Sequence, residues 1–260
     1  MGVGFAVLAA AGLPGQELPQ WVLLLARVKS HARANFEHMP NYMCQETVQR
    51  FEKPRNAGSF KRVDTLRLEV ASVGGKELLA WAGAKQFGDG DVAAYNRAGM
   101  LGTGAFAATP VNLFVHGNAR IAGSGEKNLF ETTLRYDFEV PVTASGYTVQ
   151  SWGGTATVGT RGWFWVDAET LDLSRIEEHA ADIPPALGLR DVETIIDYAW
   201  MHIGASDVLL PQFAEMTVTD YSGAQRKNKI EFSGCREYGS ESVIRFGAPE
   251  PAPPAAPKKK

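Results

Sequence analysis

The strict alternation of apolar and polar residues in 133-TLRYDFEVPV-142 is the feature that most constrains the fold of this chain. One face is apolar and the other is charged: Leu134, Tyr136, Phe138 and Val140 against Arg135, Asp137 and Glu139. Successive side chains of a β-strand point to opposite faces, so the pattern predicts a strand with one buried and one solvated face. Such strands are typical of antiparallel sheets, and the sequence therefore predicts a β-dominated fold.

Further strands follow one another along most of the chain. The run 65-TLRLEVASV-73 places Leu66, Leu68 and Val70 on one face, and Gly74-Gly75 predicts a tight turn into 76-KELLAWAG-83. The other segments that we predict as strands are 42–52, Gly146–Trp152, Ala156–Val166, Leu171–Ala180, Glu193–Ile203, Gln212–Asp220 and Arg226–Cys235. Turn-bounded strands in this succession predict one large antiparallel sheet.

Helices are predicted in two places. Between Leu18 and Glu37, apolar residues recur at spacings of three and four, which predicts an amphipathic helix whose stripe is Leu24, Leu25, Val28, Ala32 and Phe36. One or two short helices are expected near Asp91–Ala98 and Gly104–His116. We predict one folded domain over 17–247, followed by a disordered tail over 248–260, because that end is rich in proline and alanine.

The N-terminal run from Gly2 to Leu13 is apolar and too short to span a bilayer, so it predicts a signal peptide over about 1–15. No Lys or Arg precedes this run, and a translation start further upstream would account for their absence. The alternative is a frayed apolar N-terminus. No later segment is apolar enough to predict a transmembrane span.

Charge and cysteine content narrow the function classes. The net charge of −3 and the pI of about 6.0 do not favour a nucleic-acid partner, which usually demands a basic surface. Cys44 and Cys235 are the two cysteines, and in an exported protein an even pair predicts a disulfide. Two buried free thiols are the alternative, while two cysteines cannot complete a four-ligand zinc site.

Motifs for catalysis, metal binding or cofactor binding do not emerge from the sequence. No Gly-x-Ser-x-Gly elbow occurs, and the Gly-rich segments at 102–104 and 123–127 lack phosphate-loop spacing. His31 and His38 lie seven residues apart on or near the predicted helix, without a carboxylate partner that would indicate a metal site, and are expected on the solvated surface. We therefore predict a protein that is not an enzyme and has no metal or cofactor, with a hydrolase of unrecognised site as the remaining alternative.

The segment 163-WFWVDAETLDLSRIEE-178 carries a resemblance to a known family. A strand ending in Trp-x-Asp, a short turn and then Leu-x-Leu-x-Arg-x-Glu resembles a hairpin of the periplasmic outer-membrane lipoprotein carriers, the LolA and RseB-like proteins. Ala168 and Leu171 stand where that family often has proline and glycine. The segments 41-NYMCQETVQRF-51, 64-DTLRLEVASVGGKELLAW-81 and 234-GCREY-238 also resemble a set of uncharacterised exported bacterial proteins.

The resemblance implies an α+β fold: a large curved antiparallel sheet, or half-barrel, with the N-terminal helix and short helices on its concave face. It implies a periplasmic or otherwise exported protein that carries or senses a hydrophobic ligand, such as a lipid or a lipoprotein acyl chain. The candidates to line its cavity are Leu66, Leu68, Val70, Trp81, Tyr136, Phe138, Trp163 and Trp165. The alternatives are that these residues are ordinary core, and that the protein is a ligand-free structural or interaction module of the cell envelope.

Overall fold

A computed structural model describes residues 18–37, 39–74, 76–84, 87, 101–123 and 132–238 of the 260-residue chain. The predicted signal peptide, the expected helix at Asp91–Ala98 and the C-terminal tail lie outside the described residues. The domain limits of 17–247 therefore stay a prediction. Within the described part of the chain, no helix combines the length and the apolar character that crossing a membrane requires.

Ten strands of the described residues form one antiparallel sheet, in the order β3-β2-β1-β12-β11-β10-β9-β8-β5-β4. This sheet is open, because β3 and β4 end its two edges without pairing to each other. The predicted β-dominated α+β architecture is confirmed. The bounds are β1 Tyr42–Lys53, β2 Lys61–Val73, β3 Lys76–Trp81, β4 Arg120–Ala122, β5 Thr133–Val140, β6 Thr148–Ser151, β7 Gly154–Thr157, β8 Gly159–Asp167, β9 Leu173–Ala181, β10 Leu189–Ile203, β11 Ser206–Asp220 and β12 Gln225–Glu237.

One strand prediction was wrong. The segment Ala156–Val166 is not continuous: it divides into β7 and β8, and β7 pairs with β6 in a separate two-stranded sheet. Val158, between them, directs its backbone N–H to the carbonyl oxygen of Tyr147 at 2.9 Å instead of continuing along the large sheet. Val158, Gly159 and Thr160 are all buried, so the alternation of burial is interrupted at this break.

Two helical segments lie on the same face of the large sheet within the described residues. The first, α1, spans Gln20–Glu37 and buries Val28, Ala32 and Phe36, which recur every fourth residue. The second, α2, is a single α-helical turn at Ala108–Pro110 that continues as a π-helical turn at Val111–Val115. Its Leu113 and Phe114 join the same apolar cluster as the α1 residues. The expected short helix near Gly104–His116 is thus confirmed.

The predicted alternation of β5 reappears in its burial. Leu134, Tyr136, Phe138 and Val140 are buried, whereas the side chains between them face water. The buried ring of Tyr136 stacks on Phe164 with ring centroids 5.3 Å apart, and Phe164 in turn meets Phe114 of α2 edge to face at 5.1 Å. Burying each such side chain stabilises the fold by roughly 1.5–3 kcal/mol, so this face holds α2 on the sheet.

The β8–β9 hairpin closes through Asp167. Its Oδ1 accepts hydrogen bonds from the backbone N–H groups of Glu169 and Thr170, both at 2.8 Å. The N–H groups of Thr170 and Glu169 hold the pKa of Asp167 below its usual value. Leu171 follows with φ of 65°, a left-handed conformation that glycine adopts more readily, at the position where the resembling family has glycine.

Gly162 allows β8 and β9 to approach closely. It lies opposite Glu178 in the register of the two strands. A Cβ atom at this position would collide with the backbone carbonyl oxygen of Glu177. The neighbouring strand therefore lies where any larger residue would have to push it away, and glycine fits for that reason.

Asp172, just after the hairpin turn, connects α1 to the sheet. Its Oδ1 lies 2.7 Å from His31 Nε2 of α1, and its Oδ2 accepts a hydrogen bond from Trp200 Nε1 of β10 at 2.9 Å. Burial alone would raise the pKa of Asp172, but the bonds from His31 and Trp200 outweigh it and the pKa lies below its ordinary value. The expectation of a solvated His31 without a carboxylate partner was therefore wrong.

Replacing Asp172 with alanine is expected to destabilise the protein by about 1–2 kcal/mol, because two side-chain hydrogen bonds are lost at once. Amide hydrogen exchange should accelerate in α1 more than in β1. The matched control is Arg33→Ala, which removes an exposed ion pair with Glu37 within α1 and should cost only a few tenths of a kcal/mol. Equal effects of the two substitutions on exchange in α1 would contradict the tethering role of Asp172.

Candidate functional site

A cavity of about 300 Å³ lies between the C-terminal end of α1, the α2 segment and the sheet. Most of the residues around it are apolar, but the surface that faces the cavity is about as polar as it is apolar, and the residues at its rim are exposed. Buried or half-buried lining residues are Phe36, Met39, Pro40, Tyr42, Ser72, Phe106, Ala107, Pro110, Val111, Val115, Leu209 and Pro211. The exposed rim residues are Glu37, Asn41, Gly74 and His116.

Aromatic side chains build the walls of this cavity. Tyr42 of β1 packs against Phe106 with ring centroids 4.8 Å apart, and Phe106 packs against Phe232 of β12 at 5.1 Å. Phe36 of α1 stacks against Phe114 of α2 at 6.3 Å. The Tyr42 hydroxyl donates to the carbonyl oxygen of Phe106 at 3.3 Å, which fixes the start of the α2 segment over β1.

Two carboxyl groups on the sheet form hydrogen bonds to the 104–109 segment, which leads into α2. Glu77 of β3 accepts a hydrogen bond from the backbone N–H of Gly104 at 3.0 Å, and Glu178 of β9 accepts one from the Thr109 hydroxyl at 3.3 Å. Residues 104–109 are therefore anchored at two points, one on β3 at one edge of the sheet and one on β9 in its other half. The contacts are polar, so this segment is held by directional bonds as well as by apolar packing.

The pKa values of these carboxyls reflect their burial. Burial raises the pKa of Glu178 to about 7, against the opposing effects of the Thr109 hydroxyl and of His179. Burial, with a smaller contribution from the charge of Glu77, raises the pKa of Glu46 on β1 to about 8. The pKa of Glu77 is also raised by burial, although backbone N–H groups of the 104–107 segment oppose the rise.

Tyr198 of β10 completes this polar cluster. Its hydroxyl has no hydrogen-bond partner among the described residues, and the side chain is buried. Burial, followed by the electrostatic influence of Tyr42, Glu178 and Glu77, raises its pKa well above the usual value. Carboxyls with raised pKa values occur at catalytic sites, but Glu77 and Glu178 bond to residues of the 104–109 segment, which indicates an anchoring role.

The structure divides the eight residues predicted to line a cavity into two groups. Leu68, Val70, Tyr136 and Phe138 are buried in the cluster beneath α1 and α2, and Leu66 and Trp81 pack against its edge. Trp163 and Trp165 lie on the opposite face of β8, because their neighbours Phe164 and Val166 are the buried residues of that strand. The eight residues therefore do not share one surface, and none of them lines the 300 Å³ cavity.

The cavity residues were missed by sequence reasoning, with one partial signal. Phe106, Val111 and Val115 belong to the segment where a short helix was expected. A helix rich in small and apolar residues can pack over a sheet and form one wall of a cavity there. Leu209 and Pro211 carried no signal, because they precede the predicted strand Gln212–Asp220. Tyr42 lay in a predicted strand whose alternation was loose.

The predicted disulfide is confirmed. Cys44 of β1 and Cys235 of β12 are bonded to each other and span 191 residues of sequence. The two strands are neighbours in the middle of the sheet, and Cys44 is completely buried. The bond therefore joins the strands that come first and last in sequence among the described residues, close to the cavity wall that Tyr42 forms.

The fold and the cavity define a class of protein. Its members have an open antiparallel sheet with helices packed on one face, and here a disulfide cross-links two neighbouring strands and a small cavity lies beneath the helices. No protein-family model matches this chain, and no curated protein matches it. One similar solved structure is described as an outer membrane lipoprotein-sorting protein domain from Vibrio parahaemolyticus. It is 13% identical, with a TM-score of 0.45, and the match covers 82% of this chain and 92% of that one.

Two other solved structures resemble the chain to a similar extent. A LolA superfamily protein from Nitrosomonas europaea is 11% identical over 82% of this chain and 93% of its own, with a TM-score of 0.42. A DUF1329 family protein from Desulfovibrio piger is 12% identical over 83% of this chain and 93% of its own, with a TM-score of 0.41. A member of the LolA superfamily is thus among the solved structures similar to this chain. The β8–β9 hairpin resembles a hairpin of the same superfamily in sequence.

Proposed function

We propose that this protein is an exported, non-enzymatic binding protein that carries or senses a hydrophobic ligand. The observation that carries the proposal is the 300 Å³ cavity, with its aromatic and aliphatic wall and its exposed polar rim. Ligand sites are concave and mostly apolar, with a few polar groups that orient the ligand, and their volumes begin at about 300 Å³. The volume suits a single short acyl chain or part of a longer one.

We infer the orientation of the ligand within the site from the polarity of the lining residues. The apolar part would lie against Phe106, Val111 and Val115, where burial stabilises by about 25 cal/mol per Å². A polar head group would remain at the rim beside Asn41 and His116, both of which are exposed. The rim thus offers hydrogen-bonding groups to a head group that stays in contact with water.

Export is supported by two features. The Cys44–Cys235 disulfide suits an oxidising compartment such as the periplasm, because thiols stay reduced in the cytosol. The apolar run from Gly2 to Leu13 has the length of a signal-peptide core. We also propose that the domain ends near 247 and that the tail after it contributes nothing to stability.

Binding of dansyl-labelled undecanoic acid to the delipidated protein tests the proposal. Titration should give saturable fluorescence enhancement at one site per chain. Val111→Asp places a charge in the half-buried wall of the cavity and should weaken binding at least about tenfold, because desolvating a carboxylate is costly. Val115→Trp, which narrows the cavity without adding charge, should weaken binding comparably.

Trp163→Asp is the matched control, because it introduces the same charge on the opposite face of the sheet. Its affinity should stay within about twofold of the unsubstituted protein. Absence of saturable binding by a folded protein would overturn the carrier proposal and favour the envelope interaction module. Equal weakening by Val111→Asp and Trp163→Asp would place the ligand elsewhere than in this cavity.

A further inference from the structure

A histidine and two glutamates converge on the face of the sheet opposite to α1 and α2. Glu177 and His179 are neighbours on the outer side of β9, and Glu193 is the direct partner of His179 on β10. One ligand atom from each of the three side chains lies within 4.8 Å of the others. The three residues are half-buried, so their side chains are held by neighbours yet remain accessible to a small ion.

A fourth residue orients the imidazole of His179. Its Nδ1 lies 3.2 Å from Asp191 Oδ1, and its Nε2 lies 3.8 Å from Glu193 Oε1. A hydrogen on Nδ1 that is donated to Asp191 leaves Nε2 with a free lone pair directed at the glutamates. Histidine ligands of metal ions are commonly oriented by a carboxylate in this way, which fixes the tautomer and increases ligand basicity.

The separation between His179 and Glu193 suits two ligands of one ion better than a hydrogen bond. A distance of 3.8 Å is too long for an N–H···O bond. Nitrogen and oxygen ligands lie about 2.1 Å from zinc, so two tetrahedral ligand atoms are separated by roughly 3.3 Å. A shift of about half an ångström, which rotation of the Glu193 side chain can supply, would bring the pair to that spacing.

One neighbouring cation competes for these ligands only at long range. Arg175 bonds most closely to Asp197, at 2.8 Å, and makes a longer ion pair with Glu177, at 3.9 Å, which a metal ion would have to displace. The ring of Trp163 meets His179 edge to face, with centroids 6.0 Å apart, and restricts rotation of the imidazole. The three carboxylates near the imidazole attract a divalent cation, and the charges of Arg175 and of Arg161, the cross-strand partner of His179, offset part of that attraction.

We propose that Glu177, His179 and Glu193 bind a divalent transition-metal ion, with zinc as the best match and Asp191 orienting His179. One imidazole and two carboxylates leave a tetrahedral ion a further position for water. Pure oxygen sites are preferred by calcium and magnesium, whereas an imidazole ligand favours zinc and its neighbours in the transition series. The site lies on the face away from the cavity and does not depend on the proposed ligand.

Calorimetric titration of the tag-free, chelator-treated protein with zinc chloride tests the site. We expect one zinc per chain with a Kd in the micromolar range and a rise in Tm of at least about 3 °C at saturation. His179→Ala should abolish this binding, and Asp191→Asn should weaken it about 10- to 100-fold. Quenching of Trp163 fluorescence by Co²⁺, absent in Trp163→Phe, would place the ion beside His179.

His202→Ala is the matched control, because His202 also contacts a carboxylate, Asp207 at 2.9 Å, but on an exposed strand end outside the three-ligand group. It should bind zinc as the unsubstituted protein does. Unchanged affinity in His179→Ala, a Kd above about 1 mM, or a preference for Ca²⁺ over Zn²⁺ would each overturn the proposal.

Discussion

Removing the Cys44–Cys235 disulfide is expected to lower the free energy of unfolding by about 5 kcal/mol, the largest effect anticipated for this protein. The bond spans 191 residues, so it removes much of the conformational freedom of the unfolded chain. Cys44→Ala combined with Cys235→Ala should show this loss in urea unfolding. Cys44 is completely buried, and alanine fills most of its volume, so the loss reflects the cross-link more than packing.

Reduction of the native protein provides a second measurement of the same quantity. Dithiothreitol should move the urea midpoint of the unsubstituted protein close to that of the double variant and leave the double variant unchanged. Free-thiol titration of the unreduced, denatured protein should detect no reactive thiol. A double variant as stable as the native protein, or two reactive thiols in the native protein, would contradict a stabilising role for this bond.

The second large effect is a decline of stability as pH rises from about 5 to 8. Burial raises the pKa of Glu46 from 4.5 to about 8, so the folded protein binds this proton more tightly than the unfolded chain does. Its stabilising contribution is complete below pH 4.5 and is lost as the pH rises through about 8, because the folded protein must then bury a charge. Glu178, with a pKa of about 7, adds to the decline over a narrower range.

Glu46→Gln is expected to flatten this dependence. Glutamine has the same shape and stays neutral, so the difference in unfolding free energy between pH 5 and pH 9 should shrink by on the order of 3–5 kcal/mol. Urea unfolding at pH 5, 7 and 9 measures it. Glu52→Gln, at the exposed end of the same strand, is the control and should retain the native pH dependence. A Glu46→Gln protein with the full decline would refute the assignment.

Much of the sheet could be predicted because period-two patterns are local. The apolar residues of β5, among them Tyr136 and Phe138, are the buried ones, and Gly74 lies in the predicted turn between β2 and β3. Pattern alone failed where both faces of a strand are apolar. Trp163 and Trp165 alternate with Phe164 and Val166, and only the position of α2 decides which pair faces the core.

The sites could not be predicted because their residues meet through tertiary structure. His31 and Asp172 are 141 residues apart and form a bond that no local spacing encodes. The cavity combines the end of α1, the α2 segment and β11, so no single segment carries its signature. Glu177 and Glu178 lie on opposite faces of β9, as neighbours on a strand do, but the pairing of β9 with β10 was needed to bring Glu193 beside His179.

The order of the sheet has a consequence for how this chain is made. β1, β2 and β3 join the remaining strands through the pairing of β1 with β12, and β12 is the last strand in sequence among the described residues. The β1–β3 part cannot pair with the rest of the sheet until β12, which ends at Glu237, has emerged from the ribosome or from an export channel. Pairing between strands so distant in sequence makes folding slow. Until β1 and β12 pair, the apolar faces of both parts of the sheet are accessible to chaperones.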